Sequence, residues 1–134
     1  MEIRRTKDWP IRREEDVVAT RQLLRAWMVE MRFSLVAQTK TITAASEIAR
    51  NTLVHGGGGT VRLEHLDSGT REGVRLIFED SGKGIADIGQ AMTDGYTTGS
   101  GLGLGLGGAK RLVGEFEIVT QAGAGTRVTI TQWK

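Results

Sequence analysis

The apolar positions of this chain change period several times, and each change predicts an element. Residues 3–9 alternate weakly, which predicts a short opening strand that Pro10 ends. From 13 to 33 the period becomes helical. Val17, Leu24, Trp27, Met28 and Met31 recur near i, i+3, i+4 and i+7 and form one apolar stripe. Glu14, Glu15 and Asp16 fall in the first turn, where the helix dipole favours acid. Ser34 suits the N-cap of a second helix running to about residue 55. Leu35, Ile42, Ala45, Ala49 and Leu53 are its core-facing positions, and small Ala44, Ala45 and Ala49 allow close helix packing. The run Gly56 to Gly59 stops this helix.

Beyond the run the pattern alternates again. Val61, Leu63 and His65 mark a strand over 60–67, and Val74, Leu76 and Phe78 mark one over 73–80. The polar link 68–72 joins them as a hairpin. A short helix is expected over 85–92, a loop over 94–100, and a further helix over 102–113, where Lys110 and Arg111 suit a C-terminal turn. Strands over 115–121 and 126–133, joined by 122–125, complete the chain. This order predicts an α/β fold. It is a two-layer α/β sandwich, with a mixed, mostly antiparallel sheet covered on one face by helices. A length of 134 residues fits a single domain over 1–134, with no internal boundary, repeat or low-complexity tail.

Composition narrows the classes. Cysteine is absent, which removes disulfide and thiolate chemistry and fits a reducing compartment. No stretch approaches the ~20 apolar residues of a membrane span, and the opening residues lack the apolar core of a signal peptide. The expectation is a cytoplasmic protein without membrane contact. Lys plus Arg exceed Asp plus Glu by 18 to 16. No basic stripe interleaved with aromatics appears, so nucleic acid is not an expected partner. Glycine is the anomaly, at 19 residues against one proline. It clusters at 56–59 and 95–108, so it is not linker glycine and needs a local reason.

Three segments carry candidate chemistry. Glu47 and Asn51 stand four residues apart and share a helix face. Alone, such a pair reads as a solvated face. Its position before one glycine run and ahead of two more glycine segments favours a site. Asn51 offers a neutral oxygen to a hard cation, and magnesium prefers few protein oxygens plus phosphate oxygens. Glu47, one turn away, can accept a proton from a hydroxyl or orient water. Asp80, at the end of an apolar strand, begins Asp80-Ser81-Gly82-Lys83-Gly84. A bare Asx turn would explain it. A carboxylate that accepts a hydrogen bond from an adenine amino group, with Gly82 and Gly84 leaving room for the ring, would also explain it. The third segment is Gly99-Ser100-Gly101-Leu102-Gly103-Leu104-Gly105. Glycine costs about 1 kcal/mol relative to alanine inside a helix, so this density near a helix start needs a use. Free N–H groups at a helix N-terminus bind phosphate. A Walker loop is excluded because no Gly-Lys-Ser/Thr follows, and a dinucleotide fingerprint because the glycines come late in the chain. His55 and His65 have no partner at metal spacing.

Together these segments resemble the ATP-binding (Bergerat) fold shared by gyrase, Hsp90-type, histidine-kinase and MutL proteins. Within it the chain is most similar to the small serine/threonine switch kinases of bacterial partner-switching systems, of the RsbT type. The resemblance extends over Ala19–Leu23, Ser46–Asn51, Gly95–Thr98, Lys110–Leu112 and the ending Gly125 to Trp133. It implies ATP and magnesium as cofactors, with Glu47 as catalytic base and Asn51 as magnesium ligand. It implies that Asp80, Gly82, Gly84 and Ile85 line the adenine pocket, and that Gly99, Ser100, Gly101, Leu102, Gly103, Leu104 and Gly105 wrap the phosphates. Thr126 would reach adenine through water. The implied substrate is a Ser or Thr on a STAS-domain antagonist protein, and members of this type also bind and activate a PPM-type phosphatase. Two other readings remain. One is an anti-sigma module that sequesters a sigma factor. The other is a histidine-kinase catalytic half, against which stand the short 85–99 stretch and its lack of a Phe-rich box.

Overall fold

A computed structural model describes residues 1–82, 84, 92 and 105–134. In chain order it contains β1 (Glu2–Ile11), α1 (Glu14–Glu30), α2 (Leu35–Val54), β2 (Gly59–Asp67), β3 (Glu72–Asp80), α3 (Gly105–Arg111), β4 (Glu115–Gln121) and β5 (Gly125–Trp133). The expected short helix over 85–92 and loop over 94–100 lie outside the described residues, as does the 102–104 start of the third expected helix.

The strands form one five-stranded sheet in the order β1-β2-β3-β5-β4. All four described ladders are antiparallel. Alternation sends Val61, Leu63, Val74, Leu76, Phe78, Val128 and Ile130 to one face, where all are at most 2% exposed. The helices lie on that face, α2 packing against both α1 and α3. The α1 stripe is buried as its period predicts, from Val17 through Met31. In α2, Ile42, Ala45 and Ala49 are buried as expected. Leu35 corrects the expectation, being 75% exposed. It is the first helical residue after the Ser34 cap, before the helix has turned its face to the sheet.

The helix ends follow local chemistry. The Ser34 hydroxyl accepts the Ala37 N–H at 3.1 Å, as a cap should. At the start of α1 the Asp16 carboxylate accepts the backbone N–H groups of Arg12 (2.8 Å) and Arg13 (3.3 Å). Pro10 does not end β1, which runs on to Ile11 with Pro10 opposite Thr60. β1 is an edge strand, so a residue without an N–H breaks no ladder there. On the outer sheet face, Thr6, Glu64, Arg75, Thr131 and Glu115 lie in one row across all five strands. Glu64 is almost fully buried there and accepts a hydrogen bond from Arg75 Nε at 2.6 Å.

Candidate functional site

At one end of the sheet, β2, β3 and β5 bring Gly59, Asp80 and Thr126 side by side in register. Asp80 is the last residue of β3 and is half-buried. Its Oδ1 accepts the Gly82 N–H at 2.9 Å, which is the Asx turn the sequence suggests. Oδ2 accepts no hydrogen bond among the described residues. Thr126 is 7% exposed, and its hydroxyl shares a 2.9 Å hydrogen bond with that of Thr120.

The wall around Asp80 is bare backbone. A Cβ on Gly56 would stand 2.4 Å from Asp80 Cγ and 2.6 Å from Oδ2. A Cβ on Gly82 would stand 2.8 Å from the Gly56 carbonyl oxygen. Gly125 combines both demands on glycine. Its φ is +91°, and a Cβ would meet the Asp80 carbonyl oxygen at 2.1 Å. Gly84 likewise closes against the β4–β5 turn, where a Cβ would lie 2.2 Å from the Gln121 carbonyl oxygen. Asp80, Gly82 and Thr126 therefore stand together at this end of the sheet, with Gly84 against the adjoining end of β4.

The helical half arrives through α2. Glu47 is 6% exposed, in a stretch of helix that otherwise buries Thr41, Ile42, Ala44, Ala45, Ser46, Ile48 and Ala49. Asn51, one turn later on the same side, is half-buried. The Asn51 carbonyl accepts the N–H of His55 at 2.9 Å and of Gly56 at 3.3 Å, so the helix ends where Gly56 meets the Asp80 carboxylate. This contact joins the C-terminal end of α2, the helix that carries Glu47 and Asn51, to the Asp80 end of the sheet. α3 begins at Gly105, in the left-handed region at φ +64°, and packs against α2 with Leu106 and Ala109 buried. Ile85, Gly99, Ser100, Gly101, Leu102, Gly103 and Leu104 lie outside the described residues.

Among the described residues no group of three or more His, Asp or Glu side chains could hold a metal ion. A single half-buried amide oxygen at Asn51 fits a magnesium ion that completes its shell with phosphate oxygens and water. Sequence reasoning missed Gly56 and Thr120. Gly56 reads there only as a helix stop, although a glycine directly after the Glu47–Asn51 helix is a usable signal. Nothing in the pattern of β4 marks Thr120, whose partner is defined only by the β4–β5 register.

Residues 37–134 match the model of the histidine kinase-, DNA gyrase B- and HSP90-like ATPase family. The serine/threonine-protein kinase RsbT of Bacillus subtilis (strain 168) is 42% identical over 120 residues, covering 90% of each chain. The anti-sigma F factor of Thermoanaerobacter sp. (strain X514) is 32% identical over 97 residues, covering 68% of this chain and 66% of its own. Among solved structures, the RsbU and RsbW domains of a Mycobacterium tuberculosis protein align with a TM-score of 0.66 at 22% identity. That alignment covers 96% of this chain and 31% of the other, and it is a likeness of fold.

Proposed function

The chain belongs to the histidine kinase-, DNA gyrase B- and HSP90-like ATPase family, and from that premise we propose that it is an ATP-dependent protein serine/threonine kinase of a bacterial partner-switching pathway. Its substrate is a Ser or Thr on a STAS-domain antagonist protein, and it works in the cytoplasm as a single domain. The observation that carries this reading is the contact between Gly56 and Asp80. It sets an open carboxylate oxygen and bare glycine backbone against the C-terminal end of the helix that carries Glu47 and Asn51, which supports reading them as one site. The 42% identity to a named serine/threonine kinase supports the choice of reaction.

Each residue then has a task. Asp80 Oδ2 accepts the adenine amino N–H, and Oδ1 is held by Gly82 so that the carboxylate cannot swing away. Gly56 and Gly82 let bare backbone close tightly around Asp80, which fixes where its carboxylate stands. Thr126, paired with Thr120, reaches the ring through water. Asn51 holds magnesium, which neutralises phosphate charge when bound. Phosphoryl transfer needs positioning and charge stabilisation more than covalent help from the protein. Glu47 takes the proton from the attacking hydroxyl, work for which a sheltered carboxylate is suited.

The test is capture of partners from native extract on the purified protein, followed by incubation with labelled ATP. Label on a captured STAS-domain protein is the expected result. A captured sigma factor with no label on any protein would replace the kinase with an anti-sigma module, the reading favoured by the 32% identity to an anti-sigma F factor. Activation of a PPM-type phosphatase is a further role within the same proposal, read by adding such a phosphatase to the reaction.

A further inference from the structure

β3 runs from Glu72 to Asp80, so its first residue marks the end of the sheet opposite the nucleotide site. Two open depressions of about 470 and 650 Å³ adjoin there and share Arg4, Glu72 and Lys134. One is also lined by Arg32, from the α1–α2 turn, and the other by Arg71, from the β2–β3 turn.

The acids of this surface are already engaged. Asp67 pairs with Arg4, Glu30 with Arg5 at 3.3 Å, and Glu72 with His65 at 2.7 Å. Arg32, Arg71 and Lys134 are exposed, and no ion pair among the described residues includes them. A neutral His65 leaves the charge of Glu72 in place, so these three cations outnumber one carboxylate and leave the surface with a positive surplus.

Two further observations separate this surface from an ordinary solvated face. The first is the backbone of Arg32. α1 ends with the Phe33 N–H on the Met28 carbonyl and the Arg32 N–H on the Val29 carbonyl, both at 3.0 Å. This pairing calls for a left-handed residue at position 32, usually glycine. Arg32 takes it at φ +64°, the only non-glycine residue with positive φ among the described residues. A long cation stands where backbone energy favours no side chain, and such outliers point to a task for the side chain. The second is pre-organisation. The guanidinium of Arg71 lies 4.8 Å from the centre of the Trp133 ring, and that of Arg5 lies 3.9 Å from the centre of Trp27. Stacked arginines lose less rotamer freedom when they bind.

We propose that this distal end is a docking surface for an acidic segment of a partner protein, with Arg32 and Arg71 gripping its carboxylates. The planar guanidinium matches a carboxylate with two parallel hydrogen bonds. The free cations are spread along the rims of two shallow depressions and do not converge on one point. That spacing suits several carboxylates along a protein segment better than a single phosphate. A partner held here leaves the Asp80 end of the sheet uncovered, so docking and nucleotide binding are compatible.

The test is fluorescence anisotropy of a labelled Asp/Glu peptide on the full chain saturated with ADP, at low and at physiological ionic strength. Saturable binding that weakens with salt is expected. Arg32→Gly should weaken it about three- to fivefold, the scale of one partly exposed charge pair. Its melting temperature should be unchanged or higher, because glycine prefers this backbone. Arg71→Gln, on a hairpin and not at a helix end, should weaken binding by a similar factor. Arg21→Ala, which removes an exposed α1 charge outside both depressions, should leave it unchanged. Equal weakening by Arg21→Ala and Arg32→Gly would mean attraction to net charge alone and would overturn the proposal. No binding by the wild-type protein, or tighter binding of an oligonucleotide of equal charge, would overturn it as well.

Discussion

Gly56→Ala tests the contact on which the nucleotide reading depends. The added Cβ would stand 2.4 Å from Asp80 Cγ and 2.6 Å from Oδ2, so the carboxylate must rotate or the α2–β2 link must shift. Either movement breaks the 2.9 Å bond from the Gly82 N–H and moves Oδ2 off its position. Overpacking of this kind costs about 1–3 kcal/mol. The alanine recovers about 0.4–1 kcal/mol by restricting the unfolded chain, so the net loss of stability is at most about 2.6 kcal/mol. Nucleotide affinity should fall much further in relative terms. A hydrogen bond to a charged acceptor is worth about 1.5–3 kcal/mol. At about 1.4 kcal/mol per decade, ATP or ADP should bind roughly ten- to a hundredfold more weakly.

Gly57→Ala is the matched control. Gly57 has φ +72° and no atom within 4 Å of its would-be Cβ. Its alanine variant should lose about 1–2 kcal/mol through backbone strain alone. Calorimetry of ADP binding alongside thermal unfolding separates the two variants. Comparable melting temperatures with a selective affinity loss in Gly56→Ala are expected. Wild-type affinity in Gly56→Ala, or an equal affinity loss in Gly57→Ala, would refute the idea that Asp80 is the group being displaced.

Glu47→Ala should retain ATP binding and lose about 10²–10⁴-fold in phosphotransfer rate, the range for one general base. Filter binding and a labelled-phosphate assay on one preparation check both halves, and an affinity loss matching that of Asp80→Asn would remove Glu47 from the base role. Asn51→Ala should make ATP affinity insensitive to magnesium; titrations with and without the ion that still differ as in wild type would exclude Asn51 as the ligand. Asp67 is held below its ordinary value of 3.8, first by the Gly69 N–H and then by Arg4. A depressed carboxylate adds stability that is present above the unfolded pKa and fades as pH falls through the folded one. Asp67→Asn should therefore flatten the loss of stability below about pH 4, and an acid limb as steep as in wild type would contradict that.

Local pattern carried much of the fold. The helical period of Val17 to Met31 located α1, and Ser34 located the start of α2, because a helix closes its hydrogen bonds within a few residues. β4 was likewise legible from end to end. The failures have a common cause. Pro10 marks a strand end on local grounds, yet β1 continues because β1 lies at the sheet edge. Leu35 has the right residue type for the core but lies at a helix start that the core does not reach.

The same division holds at the site. Residue types and spacing along the chain determined that Glu47 and Asn51 share a helix face and that Asp80 begins an Asx turn, since both relations lie within a few residues. Only the tertiary structure decided that Gly56 abuts Asp80, that Thr126 faces it across the β3–β5 ladder, and that Thr120 lies behind Thr126. It also decided that Arg32 and Arg71 border neighbouring depressions at the opposite end. Periodicity reports which way a side chain faces relative to its own element. Which distant element it then meets depends on strand order and register, which arise only when the whole sheet and its helical layer pack.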